Sequence, residues 1–234
     1  MLNAVLGGKR RGTGFEGQRL TLGEAEGAED VITATVFERM AYLPDELFSA
    51  IFSDLLGEPF GALAEPPEFW PSWYLDNGTR VEPDLLLSDG QHNLLIEAKR
   101  HDHARQQYAT QLAAELLAGW RTGRLEDDCI LLTLGGMSDM SSAAQQQLRE
   151  EIVRALPVGT DSRFRLVCRS WQQLYQTAEH HIDAHQPPGI QRLLDDLARA
   201  YAWHGLRTHR MAWLQDLKPA GISHTPGAFD KWSL

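Results

Sequence analysis

The sequence predicts an α/β fold: a central mixed β-sheet that begins as an antiparallel meander and is flanked by helices. Three observations carry that expectation. Residues 73–99 read as short strands joined by Asp76-Asn77-Gly78 and Asp89-Gly90 turns, whose residues accept positive φ. From residue 104 onward helix and strand signals alternate, the mark of β-α-β units with parallel strands. With 43% hydrophobic residues among 234, the chain has enough apolar mass for a packed core and lies far from disordered compositions. No run approaches the roughly 20 apolar residues that span a bilayer. The apolar stretch ahead of Lys9-Arg10-Arg11 is too short for a secretory signal, so a cytoplasmic chain with no membrane contact is expected. Cys129 and Cys168 are too few for a disulfide framework or a Cys-rich zinc site; both stand in apolar runs and read as small buried hydrophobes.

Residues 1–28 form a glycine-rich lead. Seven of the chain's 20 glycines fall in residues 1–27, leaving room for a short strand near residues 19–22 at most. Gly8-Lys9 is followed by Arg10 instead of the Ser or Thr of a phosphate loop. A helix starts at Glu29, where Ile32, Val36 and Met40 repeat every four residues with Phe37 beside them. A second starts at Pro44, lines up Leu47, Ile51 and Leu55, and stops at Gly57. Residues 58–72 hold four prolines and read as an ordered loop; its aromatics Phe60, Phe69 and Trp70, with Trp73 and Tyr74 after them, are expected to cover a core edge. Strands follow at 73–75, 80–87 and 92–99, then a helix over about 104–118 with Leu112, Leu116 and Trp120 on its apolar side. Strand 129–134, helix 141–156, strand 164–169 and helices 171–179 and 190–203 complete a body spanning residues 29–205. Residues 206–234 form an irregular tail, with Trp213, Phe229 and Trp232 as anchors against that body or a partner.

The chemistry concentrates in Val81-Glu82-Pro83-Asp84 and Glu97-Ala98-Lys99. Strand side chains alternate, so Glu97 and Lys99 share one face. With Asp89-Gly90 as turn centre, Asp84 stands opposite Leu95 and Glu97 lies on the neighbouring diagonal, about 7–8 Å away between Cβ atoms, a gap that two carboxylates bridge through one cation. Leu85, Leu86, Leu87 and Leu94, Leu95, Ile96 are apolar at both parities, which implies strands covered on both faces. Charges emerging from such strands need partners. A divalent ion supplies one for both acids, and oxygen ligands suit Mg²⁺ or Mn²⁺. Lys99 beside them is placed to orient or deprotonate a water and to stabilise charge on a phosphate.

This arrangement resembles the PD-(D/E)XK nuclease superfamily, with its restriction-endonuclease-like fold, over roughly residues 29–180. The matching residues are Pro83-Asp84 at the start of one strand, Glu97-Ala98-Lys99 at the end of the next, and the helix immediately after. The resemblance implies a metal-dependent phosphodiesterase, most often acting on DNA, in which Asp84 and Glu97 hold the metal and Lys99 assists the water. The family's settings are restriction, repair and defence against foreign DNA. Many members also carry an acid on the preceding helix and a glutamine on the following one. Counted at 100° per residue, Glu29 falls near the middle of the Ile32-Val36-Met40 face and Glu38 on the opposite side, so Glu29 is the matching acid and a further metal ligand. Its other reading is a favourable acid in a helix's first turn. Gln107 and Gln111 are four apart and stack on one helix face; Gln111 is the one chosen for the site. Glu82 shares the parity of Asp84 and is an alternative ligand.

Other polar clusters lead elsewhere. His101 and His103 read as a solvated loop pair. His181 and His185 have helical spacing but no distant third ligand, which argues against zinc. The formal net charge of −10 argues against holding nucleic acid by bulk charge. Lys99, Arg100, Arg105, Arg121, Arg124, Arg163, Arg165 and Arg169 are the basic residues that would face phosphates, while acids collect in residues 24–30, 126–128 and 195–196. The expectation is weak DNA binding by the isolated chain, with delivery by a protein partner or by self-association; a tight, salt-insensitive complex would contradict it. Three functions compete: a metal-dependent nuclease, a catalytically silent nuclease-fold subunit serving as a binding or assembly module, and a non-nuclease α/β protein whose hairpin charges pair structurally.

Overall fold

The computed structural model describes residues 28–209. The expected strand near residues 19–22 and the anchors Trp213, Phe229 and Trp232 lie outside the described residues. Two helices come first, α1 (Ala28–Met40) and α2 (Asp45–Leu56). The α2 helix opens after Pro44 with Asp45 and Glu46 in its first turn and closes on Gly57 at φ 77°, a left-handed position that glycine takes without a Cβ penalty. The meander then runs β1 (Glu68–Phe69), β2 (Trp73–Tyr74), β3 (Arg80–Val81), β4 (Leu85–Ser88) and β5 (Asn93–Ala98). It is followed by α3 (Ala109–Arg121), β6 (Cys129–Leu134), α4 (Ser142–Ala155), β7 (Phe164–Arg169), α5 (Trp171–His181) and α6 (Pro188–His204).

The protein is α/β, with a mixed five-stranded sheet in the order β1-β4-β5-β6-β7 flanked by helices on both faces. The β1, β4 and β5 strands are antiparallel neighbours, and β5, β6 and β7 run parallel. Each sheet face has its own core. Leu85, Leu87, Leu94, Ile96, Ile130 and Leu132 pack with α1, α2, α5 and α6; Leu86, Leu95, Leu131, Phe164 and Cys168 pack with α3 and α4. The double-sided burial expected from the leucine runs is thus observed. Both cysteines are buried, and burial pushes the Cys129 thiol up to about 12. Phe60, Trp70 and Trp73 are buried in the core edge, whereas Tyr74 is exposed.

Four expectations change. The strand predicted over 80–87 is two strands: β3 pairs with β2 in a separate two-stranded sheet, and β4 pairs with β1 and β5. Pro83 sits at the break, where its missing N–H would leave a gap in any continuous ladder. Residues 68–69, read as loop, form the edge strand β1. The hairpin register is shifted by two, with Leu85 opposite Ile96 and Ser88 opposite Asn93, so the loop is Asp89–His92. Asp89 opens that loop instead of centring it, because its carboxylate accepts from the backbone N–H groups of Gly61 (2.7 Å), Gln91 (2.9 Å) and His92 (2.6 Å). Finally, α3 starts at Ala109 instead of about Ala104. The Gln106 and Gln107 N–H groups donate to the Gly136 carbonyl, and these tertiary bonds hold the lead-in extended.

Candidate active site

The shift of two keeps every side chain on its face, since strand side chains alternate. Asp84 and Glu97 therefore still point to the α3 side of the sheet, and Asp84 stands just before the start of β4, facing the end of β5. Its carboxylate Oδ2 accepts from the Ala98 N–H at 2.8 Å, and its carbonyl accepts from the Trp70 N–H at 3.0 Å, which pins the residue on two sides. Glu97 is 2% exposed; its Oε1 accepts from Lys99 Nζ at 2.5 Å and from Gln111 Nε2 at 2.6 Å. From the other helical layer, the first turn of α1 brings Glu29 to the same place. Glu29 Oε1 lies 3.4 Å from Lys99 Nζ, and Oε2 accepts from the Arg100 N–H at 2.9 Å.

The structure thus brings Asp84, Glu97, Lys99, Gln111 and Glu29 into one cluster from four separate segments. Glu82 is not part of it and pairs with Arg80. Gln107 precedes α3, so it does not stack above Gln111; it is buried and its Nε2 donates to the Glu97 and Gly135 carbonyls, both at 3.2 Å. His101 and His103 stand ring to ring at 5.2 Å, and His181 and His185 have separate acidic partners, Asp54 and Asp183. The residue that sequence reasoning missed is Glu115, 1% exposed, whose Oε1 accepts from Gln111 Nε2 at 2.9 Å. Its spacing of four from Gln111 was a usable signal, but it was hidden between Leu112 and Leu116 on a face that otherwise reads as core.

Lys99 is steered into place by the turn after β6. Gly135 and Gly136 both have φ 68°; a Cβ on Gly136 would lie 2.7 Å from Lys99 Cβ, and one on Gly135 would lie 2.4 Å from the Lys99 carbonyl oxygen. The Lys99 carbonyl also accepts from the indole N–H of Trp171 at 2.8 Å.

Electrostatically the cluster is an excess of buried acid. Burial and then the nearby Glu97 hold the Asp84 carboxyl well above the usual carboxylate range. Burial likewise raises Glu97 against the pull of Lys99, and burial together with Glu97 raises Glu115 strongly. For Lys99, burial would lower the amine, but Glu97 and then Glu29 outweigh it and keep the ammonium above the ordinary lysine range. In this state Lys99 Nζ donates to Glu97 and Glu29. Glu97 Oε2 and Glu115 Oε2 are buried without a hydrogen-bond partner. Hard oxygen donors, surplus negative charge and an orphaned Glu97 oxygen fit a divalent cation such as Mg²⁺ or Mn²⁺. Among the described residues no three His, Cys, Asp or Glu side chains already surround one ion position. An ion held by Asp84 and Glu97, with Glu29 at the rim, would keep several of its waters, as Mg²⁺ ordinarily does.

The basic residues expected to face phosphates are largely neutralised by the protein itself. Arg121 pairs with Asp76, Arg124 with Glu68, Arg163 with Asp127, Arg165 with Glu58 and Asp128, and Arg105 with Glu151. Arg169 donates to the carbonyls of Leu55 and Cys168. Among the described residues no helix is long and apolar enough to cross a membrane.

Compared with known proteins, the chain is similar to the uncharacterized protein PM0110 of Pasteurella multocida (strain Pm70), 40% identical over 229 residues, covering 96% of this chain and 88% of that protein. No family model matches the chain. No solved structure matches it either.

Proposed function

The chain belongs to one family with that Pasteurella protein, and we propose that it is a metal-dependent nuclease of restriction-endonuclease-like fold that hydrolyses phosphodiester bonds, with DNA as substrate. The observation that carries this reading is the convergence of Asp84, Glu97 and Lys99, with Glu29 and Gln111, into one buried and acid-rich cluster at the start of β4 and the end of β5. A bound Mg²⁺ or Mn²⁺ would supply Lewis-acid polarisation of the phosphate and a more acidic water.

Each side chain has a distinct part. Asp84 and Glu97 hold the cation, and Glu29 closes the site from α1. Gln111 keeps Glu97 in one orientation through its 2.6 Å bond. Lys99, fixed as an ammonium between Glu97 and Glu29, orients the attacking water by donating to it and stabilises charge that develops on the scissile phosphate. Among the described residues the self-paired arginines near the site leave little free positive charge for the DNA backbone, so a partner or a second copy delivers the substrate; the setting proposed is cytoplasmic restriction, repair or anti-phage defence.

The test is cleavage of plasmid, linear and single-stranded DNA and of RNA in Mg²⁺ or Mn²⁺, beside Asp84→Ala and Lys99→Ala. Cleavage by the wild type and a loss of about 10³-fold or more in both variants is expected. Cleavage that survives both substitutions overturns the site. No cleavage of any substrate transfers the reading to a catalytically silent assembly module.

A further inference from the structure

We propose that Glu115 is a positioning residue of this site, whose carboxyl holds the Gln111 side chain so that Gln111 presents its amide N–H to Glu97. The functional consequence rests on the nuclease reading; the holding itself does not.

The geometry leaves little freedom. Gln111 and Glu115 are one turn apart on α3, on the face that points to the sheet. Both contacts of Gln111 run from the same nitrogen: 2.6 Å to Glu97 Oε1 and 2.9 Å to Glu115 Oε1. A primary amide nitrogen has two hydrogens, so both are committed to carboxyl oxygens, and flipping the amide would set its oxygen against the Glu97 Oε1 that already accepts from Lys99. The two acceptors thus select one rotamer and one orientation of Gln111.

Position 115 is also an expensive place for an acid. It is 1% exposed on a helix face shared with the buried Leu112 and Leu116, and Glu115 Oε2 has no hydrogen-bond partner. A residue chosen for packing alone would be leucine, which carries no carboxyl to desolvate. A carboxyl kept there against that cost, and directed at the amide that touches Glu97, serves the orientation of Glu97. Residues that orient groups around a metal typically matter by about 10–100-fold.

The experiment compares the full chain with Glu115→Leu and Glu115→Gln. Glu115→Leu should fold, with far-UV circular dichroism like the wild type, since leucine fits the apolar layer around position 115. It should nevertheless bind Mn²⁺ alone about tenfold more weakly by calorimetry and lower kcat about 10–100-fold with KM for DNA little changed. Glu115→Gln, whose amide oxygen still accepts from Gln111, should restore most of both. By NMR of the metal-free protein, both Gln111 side-chain amide protons should show hydrogen-bonded shifts in the wild type and in Glu115→Gln, and one should lose them in Glu115→Leu. A folded Glu115→Leu with wild-type amide shifts overturns the proposal, and wild-type Mn²⁺ affinity and kcat would do the same. A wild type that cuts no nucleic acid overturns the nuclease reading instead, and the amide resonances still decide the role of Glu115.

Discussion

Single side chains set the geometry of the hairpin on which the site is built. Asp89 is the clearest case. Burial alone would raise its carboxyl, but the backbone N–H groups of Gly61, His92 and Gln91 together outweigh burial and hold it at about 2. A carboxyl depressed on folding stabilises the native state above its unfolded value of about 4, and that contribution is lost as the pH falls from about 4 through about 2. Asp89→Ala should cost about 1–2 kcal/mol at neutral pH, since it strips three N–H groups of their acceptor. Urea denaturation at about pH 7 and pH 2.5 checks this: the gap between wild type and variant should narrow at the lower pH, and a gap that stays constant would count against the role given to Asp89. The same residue explains a sequence error. Asp-Gly reads as a turn centre from propensity, and only the distant N–H of Gly61 shows that Asp89 anchors the loop's first position.

Elements are placed by periodicity and trimmed by long-range hydrogen bonds. The α2 helix runs from its proline to its glycine as read, because both signals act on the local backbone. The α3 helix loses its first turn because the Gly136 carbonyl, carried on a different strand's exit, captures the Gln106 and Gln107 N–H groups. That β6 exit is itself specified by Gly135 and Gly136, where a left-handed backbone coincides with close approach to Lys99. Gly136→Ala should therefore destabilise the protein by about 1–3 kcal/mol and displace the Lys99 side chain. A lower urea midpoint, far-UV circular dichroism unchanged and cleavage reduced at least tenfold are the expected outcome. A variant as stable and active as the wild type would show that Lys99 is positioned by something else.

At the scale of the whole molecule, stability and charge are in conflict at the site. Asp84, Glu97 and Glu115 all have carboxyls raised on folding, so near neutral pH their ionisation destabilises the native state, and the penalty shrinks as the pH falls through their raised values. His204 has the opposite sign. Burial, then Arg100, lower its imidazole to about 4, so stability falls as the pH drops from about 6.5 toward 4. A cation that binds only the folded state stabilises by mass action. Calorimetric Tm should accordingly rise with Mg²⁺ or Mn²⁺ in the wild type and much less in Asp84→Asn. Without metal, Asp84→Asn should melt above the wild type at about pH 8 and by a smaller margin at about pH 5. A wild-type Tm that ignores both metal and this substitution would remove the acids from the account.

By itself, the sequence determined the α/β class, the two-sided burial of the central hairpin and the face shared by Asp84 and Glu97. All three depend on residue periodicity, and a period of two survives a register error of two. The tertiary structure alone decided the split of one predicted strand at Pro83, the late start of α3, the pairing of surface arginines with acids, and the presence of Glu115 beside Gln111 and Glu97. Those features depend on groups far apart in the chain meeting in space, where hydrogen bonding and desolvation override the local preference of each segment.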